Sequence, residues 1–366
     1  MRRFLFLGAV LSLAAECAFS QAFYVDAEKG NDSAAGGKDA PLQTIARAIK
    51  EVDGVGGEVH LVPGKQDFLD PVIIFKGGTA EKPLIVDGHG AVINLGTDVT
   101  AGPWTDTGDG WRLERDLPED FATGSYQSTP VFVNGIGILG DHPKGPSYAP
   151  RAKHGGYLRL DENRKLVLVF PQGLSPKNSV IVLTGGPEKF SSAVRLQAAS
   201  NVTVRNVTSV FSENDGFNFH GHGTNVFIEN CKALFNADEG VSAHETYEVE
   251  VRDTEIAFNG SQGGGVHDVN DCTTIYKNVR THQNRASGFA FQGRKHTVEG
   301  GVSYGNGGRN VPKPAENTTI TGVEDLGPLP FEIPVVEDPS APFQPEGEVK
   351  ESDILGRFLE LRPPTP

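Results

Sequence analysis

Carboxylates and imidazoles recur at a fixed stride through the middle of this chain. Asn214-Asp215-Gly216, with Asn218, His220 and His222 just behind it, is followed by Asp238-Glu239-Gly240 with Ser242, His244 and Glu245. His267-Asp268 comes next, and then Gln292, Arg294 and Lys295. Asp215 and Glu239 stand 24 positions apart. If that stride is one turn of a coil, the two residues sit about 4.8 Å apart, the spacing of hydrogen-bonded strands. Two carboxyl groups held that closely suit glycoside hydrolysis, at about 5 Å in retaining enzymes and wider in inverting ones. Both cannot ionise freely, so one keeps its proton near neutral pH and becomes a general acid. On this reading Asp215, Asp238 and Glu239 are catalytic, with His244 and His267 tuning the pair or orienting the sugar. Asn218, His220, Glu245, Asp268, Gln292, Arg294 and Lys295 are the expected substrate contacts, the two cations being suited to a uronate or sulfate.

The stride belongs to a longer repeat. Rows starting at Ser192, Gly216, Gly240, Gly264 and Gly288 align at a period of 24 over residues 190–308. Each row holds short alternating runs rich in Val, Ile, Phe and Thr, closed by Asn or Asp, and none is long enough for a helical face. A fixed period built of such runs predicts a solenoid of short strands, an all-β parallel β-helix. Alternation then points Phe217, Phe219, Val241, Ala243, Phe289 and Phe291 inward and Asn218, His220, Ser242 and His244 outward. An extra glycine in the fourth row leaves His267 open to either side; outward is favoured. Asn206, Asn230 and Asn278 read as a scaffold ladder in the turns, and Phe211 and Phe235 as core stacking.

The flanks fit around this solenoid. Residues 1–20, with Arg2 and Arg3, an apolar run and Ala18-Phe19-Ser20, read as an export signal, placing the protein outside the cytoplasm or in a periplasm. Residues 21–96 read as the first coils with an amphipathic helix over Pro41 to Val52, N-capped by Thr44, closing the open end. Residues 97–189 break the repeat with strand pairs joined by Gly, Pro and Asp, which predicts an inserted small β-sandwich or sheet carrying Trp104 and Trp111. Residues 309–366 form a Pro-rich acidic tail, with a strand at Asn317 and a short ordered stretch near Asp353 to Leu361. Cys231 and Cys272 fall in different columns and are expected to be buried thiols. A formal charge of −14 argues against nucleic acid and anionic membranes as partners. No membrane span is expected, and a monomer acting on a polysaccharide or oligosaccharide is.

Tyr24-Val25-Asp26, Gly30-Asn31-Asp32-Ser33, Pro41-Leu42-Gln43-Thr44-Ile45 and the run from Gly78 to Gly88 resemble the N-terminal part of secreted right-handed β-helix proteins of the pectin-lyase-like superfamily. The resemblance covers most of residues 23–96 and 190–308. It implies the fold, and a carbohydrate-directed role that in this superfamily ranges from lyases and hydrolases to non-catalytic adhesins. Asn214-Asp215-Gly216 and Asp238-Glu239 are similar to the first two motifs of polygalacturonases, with one residue missing from the first. The later Gly-His-Gly and Arg-x-Lys motifs are only partly met, by Gly265-Val266-His267 and by Arg294-Lys295. A lyase of uronic-acid polymers is the main alternative, with His220, His244 or Lys295 as base and Ca²⁺ held by Asp215, Asp238 and Glu239. A zinc site among His220, His222, His244, Glu245 and His267 matches no standard spacing, and a hydrolase needs no cofactor. A non-catalytic glycan-binding surface protein is the remaining reading.

Overall fold

Short β-branched runs cut off every few residues by Asn, Gly or Asp cannot extend, so the chain bends and lies back on itself. In the computed structural model, which describes residues 21–117, 130–140, 155–185, 191–260, 263–329 and 354–361, these runs stack into a parallel β-helix of about ten coils. The expected export signal lies outside the described residues. No helix among them is long and apolar enough to cross a membrane.

Three faces run the length of the solenoid. The first is a six-stranded parallel sheet containing Val72–Ile74, Val194–Gln197, Phe217–His220, Val241–Ala243, Val266–Asp268 and Phe289–Phe291. The second carries Ala22–Val25, Gly57–Leu61, Val226–Glu229, Glu248–Arg252, Thr273–Lys277, Lys295–Glu299 and Thr318–Thr321. The third carries Lys232–Leu234, Glu255–Ala257, Arg280–His282 and Val302–Tyr304. Leu84–Asn94 and Val202–Val210 bend across the second and third faces. Register follows the repeat: Phe217 lies opposite Val241, Val226 opposite Val249 and Lys232 opposite Glu255. Val194, Leu196, Phe217, Phe219, Val241, Ala243 and Val266 fill the bore with no exposure.

The bend between the second and third faces needs one residue at positive φ. Asn206, Asn230, Asp253 and Asn278 take it, at φ 56°, 50°, 51° and 51°, the side chains that tolerate this region best. Their amides also pair between coils, as Asn230 Nδ2 to Asn206 Oδ1 at 2.7 Å. This is the ladder expected from sequence. A second ladder, not anticipated, runs through the bend between the third and first faces. Asn236 donates to Asn259 (3.0 Å), Asn259 to Asn284 (3.0 Å), Asn284 to Asn306 (2.9 Å) and Asn306 to Asn310 (3.0 Å). All five are buried. The oxygens of Asn236, Asn259, Asn284 and Asn306 also accept the preceding coil's backbone N–H, as Asn259 Oδ1 does from Asn236 at 3.0 Å.

The phenylalanine column differs from its expected place. Phe211, Phe235 and Phe258 occupy positive φ (58°, 54° and 61°), which turns their rings out of the bore. They stack on one another at 5.8 and 4.7 Å outside the coil. There they join Phe132, Val180 and Val182 of the insert and Leu355 and Phe358 of the C-terminal helix Ile354–Glu360 in a separate apolar cluster. The column is a seam that holds the insert and the tail helix to the solenoid. Trp104–Asp106, Trp111–Leu113, Tyr157–Leu160 and Leu166–Val169 form one antiparallel sheet of the insert, and Thr97–Asp98, Val131–Val133, Ile136–Ile138 and Ile181–Leu183 a second. Both feed one core that includes Leu113, Val131, Leu158, Leu168 and Ile181. Trp104 packs against it and donates Nε1–H to Val99 O at 3.0 Å, a structural post.

At the N-terminal end the helix Ile45–Val52 lays Ile45, Ala48, Ile49 and Val52 over the bore. Thr44 Oγ1 accepts Arg47 N–H, and Asp70 Oδ2 accepts Ile45 N–H at 2.6 Å, so the first-turn donors are satisfied. Cys231 and Cys272 are buried free thiols, as expected.

The two ladders differ in solvent access, and substitution should separate them. Asn259→Ala strands buried donors and acceptors on two coils and is expected to cost about 1–3 kcal/mol. Asn230→Gly, on the exposed ladder, keeps the positive φ and should cost less than about 1 kcal/mol because water replaces the lost partner. Urea unfolding of the two variants gives the comparison, and equal losses would contradict it.

Candidate active site

The buried asparagine column fixes where each corner loop begins. Ser212 takes the first place in it, its N–H reaching Asn236 Oδ1 at 3.3 Å and its hydroxyl donating to Asp215 O at 2.8 Å. Three residues after Ser212 comes Asp215, and three after Asn236 comes Glu239, so equal loops starting from stacked anchors deliver both carboxyls to one spot. Asp215 Oδ1 accepts Glu239 N–H at 3.0 Å. Carboxylate oxygens of Asp215, Asp238 and Glu239 lie within 4.8 Å of one another.

The three are not equally placed. Asp215 is 2 % exposed and Glu239 7 %, whereas Asp238 is half-buried. Burial, then the Glu239 charge and the hydrogen bond between the two carboxyls, push Asp215 well above the usual carboxylate range. Asn218 Nδ2 and Glu239 N–H donate to Asp215 and oppose this without overcoming it. Asp215 therefore keeps its proton to higher pH than an ordinary carboxylate, beside the Glu239 carboxyl. Glu239 Oε1 in turn accepts from His267 Nδ1 at 3.1 Å, and that bond raises the His267 pKa above its ordinary value despite burial. Gln292 Nε2 approaches His267 Nε2 at 3.1 Å and completes the row. Gly263 makes the Glu239–His267 contact possible, since a Cβ there would lie 2.3 Å from Glu239 Oε1.

Beside this row stands a second group. Ser242 Oγ donates to His267 O at 2.8 Å and so accepts from His244 Nε2 at 2.9 Å, which fixes the His244 tautomer. Burial, then the neighbouring His220, lower His244 to about 4. His220 stacks on His244 at 4.0 Å and points Nδ1 at Glu245 Oε2 3.2 Å away. Asp215, Glu239, His267, Asn218 and Gln292 thus form one hydrogen-bonded set with the Asp238 carboxylate beside it, and His244, His220 and Glu245 adjoin it through Ser242. His267 faces outward between the inward-facing Val266 and Asp268.

Three expected contacts fall elsewhere. Asp268, read as a substrate ligand, has no exposure. It faces the bore, where Tyr276 Oη (2.9 Å), Thr274 Oγ1 (2.7 Å) and Ala243 N–H (3.2 Å) satisfy it. The extra glycine that threw His267 outward turned its neighbour inward, a necessary result of strand alternation. Arg294 and Lys295 are exposed where the chain turns from the first face to the second, Lys295 opposite Thr273. Arg285 was missed. It donates to Gly260 O at 3.0 Å and its charge acts on Asp238. Aligning Asn284 with Asn236 would have placed it in the same corner. Arg195, in register with Asn218, is a second cation on this face that the row alignment passed over.

No protein-family model matches this chain, and no curated protein does. Solved structures resemble it at low identity. One described as a glycoside hydrolase is 11% identical over 81% of this chain and 81% of its own, with a TM-score of 0.47. The pectate lyase Pel9A is 13% identical over 85% and 78%, with a TM-score of 0.41. XylC in complex with xylose is 12% identical over 83% and 68%, with a TM-score of 0.38. At these values no catalytic residue carries across to this chain.

Two outcomes follow from the protonation pattern. Asp215 has a raised folded pKa, so its charged form costs stability: nothing below the unfolded value of about 3.9, and progressively more as pH rises above it. Asp215→Asn is expected to be more stable than the parent at pH 7, with the advantage vanishing near pH 3; a stability profile flat in pH would contradict this. Imidazole NMR should show His244 titrating at about 4 and His267 above the ordinary histidine midpoint.

Proposed function

We propose that this protein is a carbohydrate-active enzyme that hydrolyses glycosidic bonds in a polysaccharide or oligosaccharide. The observation that carries the proposal is the Asp215–Glu239 pair: two buried carboxyls from successive coils in contact, Asp215 pushed well above the usual carboxylate range, with a third, Asp238, beside them and more open to solvent. A raised pKa keeps one acid protonated at the pH where another group is a base, which is what acid-assisted departure of a sugar oxygen requires.

The roles follow from exposure. Glu239 stands between buried Asp215 and the surface, so it delivers the proton to the leaving oxygen while Asp215 holds and returns it. Asp238 activates the water, with the Arg285 charge acting on it. His267 fixes the Glu239 carboxyl, and Gln292 fixes His267. Neutral His244, stacked on His220, offers a flat surface and a hydrogen-bonding edge for a sugar ring. None of these steps calls for a resident metal ion.

Purified protein would be offered a panel of plant and algal polysaccharides with reducing-end and ultraviolet readouts run together. New reducing ends without ultraviolet absorbance are expected. Glu239→Gln should lower kcat by about a thousandfold, and a chelator should leave the parent rate unchanged. An absorbing double bond in the product together with chelator sensitivity would replace hydrolysis by β-elimination on a uronate. A folded protein that binds glycans but forms no product would make it a non-catalytic receptor.

A further inference from the structure

A second set of ligand-type side chains lies on another face, in the N-terminal coils. On the second face the strand Gly57–Leu61 pairs with Leu84–Asn94, placing His60 opposite Asp87. One coil further on, Asp87 lies opposite Arg205 and Ala91 opposite Val207. Gly88, His89 and Gly90 therefore occupy the bend that Asn206 fills alone. The longer bend interrupts the asparagine ladder and puts a histidine at φ 50°, where Asn serves in the next two coils. Its effect is to fold His89 back over His60, with ring centroids 5.2 Å apart.

The proton arrangement on these rings is the informative feature. His60 Nε2 lies 3.1 Å from Glu58 Oε2, so that nitrogen carries the proton and Nδ1 is left as a lone pair. His60 Nδ1 points at His89 Nε2, 3.0 Å away. The far nitrogen of His89, Nδ1, lies 3.6 Å from Asp87 Oδ1, beyond hydrogen-bond reach, so the His89 proton bridges Nε2 to His60 Nδ1 in one tautomer and sits on Nδ1, freeing Nε2, in the other. In the second tautomer both facing nitrogens offer lone pairs, and ligand atoms of His60, His89 and Asp87 lie within 4.8 Å of one another. Each ring, moreover, has a carboxylate behind it, the arrangement by which proteins fix the tautomer and orientation of metal-ligating histidines.

We infer that His60 and His89 form a binding site for a divalent transition-metal cation of the copper or nickel type, separate from the carboxylate site. A cation about 2.0–2.1 Å from each nitrogen spans this pair at about 95°, nearer a tetragonal than a tetrahedral angle. Asp87 orients rather than ligates, because Arg205 Nε (2.8 Å), Asn206 Nδ2 (2.8 Å) and His89 N–H (3.1 Å) already occupy its oxygens. The His89 side chain is 48% exposed, which leaves the remaining coordination positions open to water. Tyr24 stacks on the other side of His60 at 4.9 Å and closes that flank.

The test is titration of the full chain with Cu²⁺ at neutral pH, followed by calorimetry and electron paramagnetic resonance. One tight equivalent with hyperfine coupling to two nitrogens is expected. His60→Gln and His89→Asn should each weaken it by at least about 100-fold, and Glu58→Gln by about tenfold. Asn suits the positive φ at position 89, so that variant keeps the bend, and an unchanged thermal melt confirms folding. His220→Gln should leave the tight equivalent intact. Absence of a tight equivalent, or one that survives both His60→Gln and His89→Asn, overturns the inference and leaves an ordinary hydrogen bond between neutral rings. So does copper binding that follows His220. None of these readouts depends on catalysis, so this site and the proposed hydrolytic function stand or fall separately.

Discussion

A buried amide has nowhere to turn but to another buried group. The line Ser212, Asn236, Asn259, Asn284, Asn306 and Asn310 turns that restriction into a ruler along the solenoid. Asn236, Asn259 and Asn284 each accept from the coil before and donate to the coil after, so sliding one coil by a single residue leaves two neighbours unsatisfied, at a cost of about 1–3 kcal/mol each. Apolar contacts in the bore cannot enforce this alone, because Val, Ile and Phe are interchangeable to within packing tolerance. The ladder therefore sets register, and register sets which loop residues meet. The Asp215–Glu239 contact is a consequence of it.

Fixing the anchors also explains an expensive choice in the site. Asp215 is buried against Glu239 with its pKa pushed up, an arrangement that costs stability at neutral pH. Two amide donors and a rigid corner hold the carboxyl there when solvation favours expelling it. Arrangements of that kind cluster at functional sites. The charges of the second face, by contrast, pair off across coils, as Arg205 does with Asp87 and Lys277 with Glu250, and are partly open to solvent. Such exposed pairs contribute little each, and they read as surface.

Period and alternation carried much of this into the sequence. The stride of 24 carried the solenoid, the exposed asparagine ladder and the meeting of Asp215, Asp238, Glu239 and His267, and the amphipathic run with Thr44 at its head carried the cap helix. Less legible was anything that turns on a single backbone angle. Phe211 and Phe235 look like core residues in any hydropathy pattern, and only their positive φ sends them outward. Asp268 follows an outward histidine and so had to face in, which the row alignment allowed but the search for polar side chains overrode. Asn236 and Asn259 lie one position past the phenylalanine column, where turn asparagines are ordinary, and nothing in the residue type announces burial. Arg285 stands on a corner where the row carries no acid, and Arg195 on the first row, whose polar residues match the later rows least.

That corner loops carry the chemistry follows from how a solenoid tolerates change. A residue added within a strand flips every later side chain to the opposite side and breaks the bore. One added in a loop between anchors is absorbed there, as in the row of Gly263, Gly264 and Gly265. Gly264 takes φ 95° and Gly263 leaves room for the Glu239–His267 bond. The bend of Gly88, His89 and Gly90 is the same event on another edge: two residues more than Asn206 uses, and the strands on either side remain paired. New side chains can thus be displayed at the corners at little cost to the stack. The imidazole pair at His60 stands where such a bend was lengthened, and the acids beside His267 stand in the corner loops. The faces between them keep strict register.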